Sequence, residues 1–303
     1  MLPSSRLLDQ RARAALRRLE WRLRHRRVET PMVGEHRSIF RGRGMEFDQV
    51  VRYEFGDDVR DIDWNVTARL GEPYRKVFVE EREVTVLVIV NDDPALQFGS
   101  GAVTKREILF EVAGLALMLA TINRERAALL HHAPDGATFY PPTRRRARIL
   151  NAIAGLYRAP LPDPTTPFAG SPIPARPVPR GALIVWLGEV PAGSPPYEWT
   201  AIRRRHQVIG IRVEDEWERE GPALRDALAY DPASGDLVQL RDSAAARAAH
   251  ATWYAEREKR WRAWWPDPDD RLVVSTTADP LAALIHFLRS RARTGPRAGA
   301  SAA

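Results

Sequence analysis

Apolar residues follow two rhythms along this chain, and the alternation between them predicts its elements. Across residues 6–27, Leu8, Ala12, Ala15, Leu16, Leu19 and Leu23 recur at helical spacing while Arg fills most of the other side, which predicts an amphipathic helix. Residues 73–81 alternate between two unequal faces and predict a strand. The run VTVLVIV from Val84 to Val90 is continuous and β-branched, the pattern of a central strand buried on both faces of a parallel sheet. A broad apolar stripe predicts a helix over Lys105–Asn123. Ala127–His132 and Ala137–Tyr140 read as strands around a Pro134-Asp135-Gly136 turn, and Arg144–Tyr157 as a helix. Ala182–Leu187, Gln207–Val213 and Leu272–Thr276 are three more strands, with helices at Tyr197–His206 and Pro280–Arg291. Tyr230–Leu240 predicts a short hairpin. Ser243–Trp265 predicts a long helix whose Trp253, Tyr254, Trp261, Trp264 and Trp265 belong to a core or a lid.

Strands alternating with helices predict a doubly wound α/β fold with a mostly parallel sheet. Four regions follow: a basic amphipathic helix (1–33), a lead-in segment with its strand (34–82), the α/β domain (83–291) and a disordered tail (292–303). Residues 159–180 are Pro-rich and predict an extended surface connector within the domain. Ligands of such sheets bind beyond the carboxyl ends of the strands, where the strand order switches direction. That rule points to Asn91-Asp92-Asp93-Pro94-Ala95 and to Gly188-Glu189.

Composition narrows the function. The 303 residues are 44% hydrophobic and 28% charged, a globular profile. The net charge of +7 invites nucleic acid or anionic lipid as partners, but only Lys76, Lys105 and Lys259 are lysines, and the Arg excess runs through the whole chain. Asp9 and Glu20 interrupt the basic N-terminal helix, so its Arg residues read as a solvated face and nucleic-acid binding stays a secondary alternative. The absence of Cys excludes disulfides, thiolate metal sites and a Cys nucleophile. No apolar run approaches the roughly 20 residues of a membrane span, and no signal-peptide core is present, so a cytoplasmic location is expected.

Sequence motifs for phosphate binding, a Ser nucleophile elbow or a zinc-binding helix are missing. The pair His131-His132 is a poor chelate, because neighbouring strand residues point to opposite faces. The densest chemical stretch is Gly34–Arg69. Within it Asp57, Asp58, Asp61 and Asp63 stand among Arg52, Arg60 and Arg69. A metal-dependent hydrolase using these carboxylates with His36 is one reading. The interleaved guanidinium groups favour another, an Arg–Asp network that fixes a loop, with Asp57 or Asp58 capping a short helix through Asn65.

The order and spacing of this stretch carry a resemblance. Gly34, His36, Arg37 and Ser38, then Arg41, Gly42, Gly44, Glu46 and Phe47, then Tyr53, Gly56, Asp57, Asp58, Arg60, Ile62, Asp63, Trp64, Ala68 and Arg69 resemble the domain of unknown function 58 family. Phe98-Gly99-Ser100, Pro141-Pro142, Arg205-His206 and the segment from Thr276 to Arg291 extend the likeness over nearly the whole chain. The resemblance implies a von Willebrand factor A-like domain that acts without catalysis, as a partner of MoxR-type AAA+ ATPases in protein maturation or remodelling. With their interleaved arginines and their place before the central strand, the signature residues His36, Arg37, Ser38, Arg41, Gly42, Tyr53, Gly56, Asp57, Asp58, Arg60, Asp63, Trp64 and Arg69 are the candidate surface for a partner. Relatives of this fold bind a metal through Asp-x-Ser-x-Ser, a Thr and a later Asp. Here the triplet is Asn91-x-Asp93-x-Ala95, with Glu189 near the later position. Asp92, Asp93 and Glu189 are the remaining candidates for Mg²⁺, and the expectation is no cofactor.

Overall fold

The computed structural model describes residues 5–25, 45–55, 57–80, 85–166, 168, 178–179, 181–221, 227–230, 237–240 and 243–294. Helix α1 (Ser5–His25) comes first, then strand β1 (Met45–Arg52), helix α2 (Trp64–Leu70) and strand β2 (Tyr74–Glu80). The two strands pair antiparallel, so the lead-in segment is a hairpin whose crossing carries a single 3₁₀ turn (Val59–Asp61) and α2. The sequence did not predict β1, and the caps differ from expectation. Asp58 accepts from the Arg60 N–H in the 3₁₀ turn, and Asp63, not Asp57 or Asp58, caps α2 through the N–H groups of Asn65 and Val66. Gly71, in the left-handed region at φ 74°, ends α2.

The domain proper runs β3 (Thr85–Asn91), α3 (Lys105–Ile122), β4 (Arg126–Ala133), β5 (Gly136–Thr143), α4 (Arg146–Arg158), β6 (Leu183–Leu187), α5 (Tyr197–Arg205) and β7 (Gln207–Glu214). Then come α6 (Glu216–Glu220), the hairpin β8 (Ala227–Tyr230) and β9 (Leu237–Leu240), α7 (Ala244–Trp264), β10 (Arg271–Ser275) and α8 (Pro280–Thr294). The six-stranded sheet has the order β10-β7-β6-β3-β4-β5, parallel throughout except for the antiparallel edge strand β5. This is the doubly wound α/β arrangement the patterning predicts. The chain leaves β3 toward β4 and later returns to its other side with β6, so the switch lies between β3 and β6. Strand β5 continues to Thr143, past Pro141 and Pro142 where the expected strand stopped. At the sheet edge, with a register shift opposite Ala127–Leu129, the missing Pro donors cost no ladder bond. Helix α8 reaches Thr294, beyond the expected end of the domain at residue 291.

Every residue of β3 is buried, and alternate side chains enter two cores. Val86, Val88 and Val90 join α3, α4 and α8, while Leu87 and Ile89 join Trp186, Trp199, Trp261, Trp264 and Trp265 on the opposite face. The aromatic helix α7 is therefore core. Gly210 on β7 lies so close to Trp265 that a Cβ there would enter the indole ring. Helix α1 adds a third layer over α3 and α4 through Ala12, Ala15 and Leu19, and Leu19 packs onto Gly114, where any Cβ would meet it at 2.7 Å.

Candidate functional site

The switch point brings together the carboxyl ends of β3 and β6, and a row of charged side chains fills it. Asp92, fully buried, receives a two-pronged bond from Arg106 (Nε to Oδ1 2.7 Å, NH2 to Oδ2 2.6 Å) and a third contact from His131 Nε2 at 3.0 Å. Burial acts to raise the Asp92 carboxyl, but the bonds from Arg106 and His131 outweigh it and hold the group below its usual range. The same guanidinium stacks over Phe110 and donates to the Ala159 and Pro160 carbonyls, which fastens the start of the Pro-rich connector to the site. Gln97 adds a bond to the Pro162 carbonyl at 2.6 Å.

Beyond β6 the network continues around Lys105, the first residue of α3. Its ammonium is bonded by Glu189 and, at 2.7 Å, by Glu218, with its side chain only 1% exposed. Arg257 of α7 reaches Glu189 at 3.0 Å, Glu218 at 3.6 Å and Glu214 at 3.5 Å. Arg212 then joins Glu214 at 3.1 Å to Glu258. Burial pushes Glu189 up, yet Lys105 and Arg257 more than offset it and the carboxyl sits low. Next along the edge, Asp215 accepts from Ser100 (Oγ 2.5 Å, N 3.1 Å), Trp217 N at 3.0 Å and Thr276 Oγ1 at 3.0 Å. Burial opposes ionisation there as well, and these bonds again prevail.

These residues do not fit a divalent metal. Mg²⁺ requires several free oxygens in near-octahedral geometry. Position 91 offers a buried amide, position 95 no side-chain oxygen, and the carboxylates of Asp92 and Glu189 are taken by internal cations. Asp93 spends Oδ1 on the Ala95 N–H at 2.8 Å. Its carboxyl is pushed up by burial, against that bond, with the Glu189 charge adding to the rise. Among the described residues no group of three or more His, Asp or Glu is placed to hold a metal ion.

The lead-in segment is assembled differently. Asp57 pairs with Arg75 at 2.7 Å, Asp58 with Arg60 at 3.5 Å and Asp63 with Lys76 at 3.5 Å. In place of the expected Arg–Asp network there are, among the described residues, three separate pairs; of the expected cations only Arg60 takes part, and the other two, Arg75 and Lys76, come from β2. Arg52 pairs with Glu72 instead, correcting its assignment to the Asp cluster. Tyr53 donates to the Asp57 carbonyl at 3.1 Å, and Trp64 stands 68% exposed at the head of α2, with Phe55, Val59 and Leu70 also exposed. The Asp side chains hold separate partners and do not converge. His36, Arg37, Ser38, Arg41, Gly42 and Gly56 lie outside the described residues.

The sequence reading reached Asp92, Asp93 and Glu189 but missed the cations that hold them. A signal existed: Lys105-Arg106 is a charged pair at the head of an otherwise apolar helix, directly after the central strand's loop. The same strand-end rule applied to β7 would have flagged Asp215.

The comparisons with known proteins follow this geometry. The family described as "Protein of unknown function DUF58" matches residues 49–260. The chain is 28% identical over 305 residues to "Uncharacterized protein Rv1480" of Mycobacterium tuberculosis, covering 96% of this chain and 93% of that one, and equally similar to "Uncharacterized protein Mb1516" of Mycobacterium bovis. Among solved structures, the conserved hypothetical protein BatB from Bacteroides thetaiotaomicron aligns over 69% of this chain and 99% of its own at 12% identity and TM-score 0.36. The SpRpn10 VWA domain aligns over 68% and 94% at 11% identity and TM-score 0.30. At scores of this size the likeness extends to no shared site. The family match spans more than half of the sequence, and the chain belongs to the DUF58 family.

Proposed function

We propose that this protein is a non-enzymatic protein-interaction module whose partner is a MoxR-type AAA+ ATPase, acting on the cytoplasmic side in the maturation or remodelling of other proteins. One observation carries the reading: the two charged regions divide between a saturated site and an open surface. At the switch point Asp92, Glu189 and Glu218 are already bound by the chain's own cations, which leaves Asp93, bonded through one oxygen to the Ala95 N–H, outside that network. The lead-in hairpin, by contrast, presents Phe55, Val59, Trp64 and Leu70 to solvent beside the Asp57–Arg75 and Asp63–Lys76 pairs. Exposed aromatic anchors with a charged rim are the composition of a protein-binding surface.

The experiment is capture from native cells with nucleotide trapped on the ATPase. The full chain is expected to recover a MoxR-type ATPase, and Trp64→Ala to lose at least tenfold of it while melting like the parent. Recovery of no ATPase, or undiminished capture by Phe55→Ala/Trp64→Ala, defeats the proposal.

A further inference from the structure

In the sequence, Asp9 and Glu20 break the basic pattern of the first helix. In the structure both acids are turned sideways and consumed. Asp9 pairs with Arg158 at 2.6 Å and Glu20 with Arg146 at 2.7 Å, which sets α1 antiparallel to α4. Arg22 is drawn inward on the other flank, to Glu111 at 3.0 Å and Asp279 at 3.3 Å. With Ala12, Ala15 and Leu19 buried, the stripe opposite them carries Arg13, Arg17 and Trp21 at successive helical turns, flanked by Arg11 and Arg18. All five are exposed, Trp21 by 58%, and the acids that border the stripe, Asp9 and Glu20, are paired with Arg158 and Arg146. The neighbouring helix continues the field at its start with the exposed Arg144, Arg145 and Arg148, while Arg146 and Arg158 are spent on Glu20 and Asp9.

We infer that the outward faces of α1 and of the first half of α4 form a docking surface for an anionic lipid bilayer. Charge complementarity selects an anionic partner, and shape selects its class. From Asp9 to Arg22 helix α1 is held along the body by its ion pairs and buried residues, so it presents a side and not an end. An Arg stripe along one helix side with an indole among it is a shape that a plane of anionic headgroups accepts whole. The indole of Trp21 on the Arg stripe has the amphipathic character that settles at headgroup level. Among the described residues no helix is long and apolar enough to cross a membrane, so the contact is peripheral.

The test is co-sedimentation of the full chain with vesicles of phosphatidylcholine alone or with about one-third phosphatidylglycerol. Each basic residue near an anionic leaflet contributes on the order of fivefold in partitioning. Binding is expected only to the anionic vesicles, decreasing steeply as salt rises. Arg13→Glu/Arg17→Glu is expected to lose at least 25-fold on that scale and Trp21→Ala severalfold, with both variants melting like the parent. Equal binding to both vesicle types, unchanged binding by the double variant, or tighter binding to duplex DNA at the same ionic strength overturns the inference. A variant that melts early is replaced by Arg11→Gln/Arg18→Gln, read against the same outcomes.

Discussion

The lead-in hairpin and the switch point are made from the same residue types, and they differ in where those residues sit. In the hairpin, the Asp58–Arg60 and Arg52–Glu72 pairs are more than half exposed on at least one partner, and each holds a turn or a strand end. At the switch point, Asp92, Lys105 and Arg257 are almost wholly buried, and each has two or more partners. Water competes for the first set and is excluded from the second. The hairpin charges therefore shape a surface at little energetic cost, while the buried charges commit the two halves of the sheet to one arrangement.

The largest effect is expected from Asp92→Ala, which leaves the Arg106 guanidinium buried and uncompensated. A loss of about 3–5 kcal/mol, measured by urea unfolding, follows from breaking such a pair. The sign with pH is fixed by the lowered carboxyl of Asp92. Its stabilisation is complete above the unfolded value near 4 and disappears as pH falls through the folded value. The parent should thus lose stability in acid more steeply than Asp92→Asn does; parallel acid limbs would contradict the contrast.

Next in size is Lys105→Met, at about 3 kcal/mol, because Glu189 and Glu218 lose their common ammonium. Adding Glu189→Gln should restore part of the loss, and a double-mutant cycle should give a coupling of about 1–3 kcal/mol. Zero coupling would mean the pair is no unit. Asp57→Ala in the hairpin is expected to cost less than about 1 kcal/mol despite its 2.7 Å bond to Arg75. The smallest effect has the opposite sign. Asp93, whose carboxyl is raised, is more stable protonated, so Asp93→Asn should raise the melting temperature slightly at pH 7, with the gain vanishing as the parent protonates in acid.

The sheet was legible because burial writes itself into sequence. Val84–Val90 could be only a strand covered on both faces, and the helices between strands fixed their parallel direction. The candidate acids were legible from the strand-end rule. Their partners were not, because a buried Lys or Arg looks like a surface one until the fold closes over it. Lys105 and Arg257 themselves lie more than 150 residues apart, on α3 and α7. Strand β1 escaped for the converse reason: its partner β2, not its own MEFDQVVR pattern, makes it a strand. The acids of α1 were legible as breaks in its basic pattern, but their partners were not, because both are bonded to α4.

The tryptophans give these regions separate voices in one spectrum. Trp186, Trp261 and Trp265 lie with ring centroids 4.3–6.3 Å apart in the dry core beneath α7, close enough to couple optically. Trp21 and Trp64 stand in water, one on each of the two surfaces assigned a partner. Emission from the core reports whether the domain is folded. Quenching or a blue shift that is lost in Trp21→Phe or in Trp64→Phe reports, without any label, which surface has been covered.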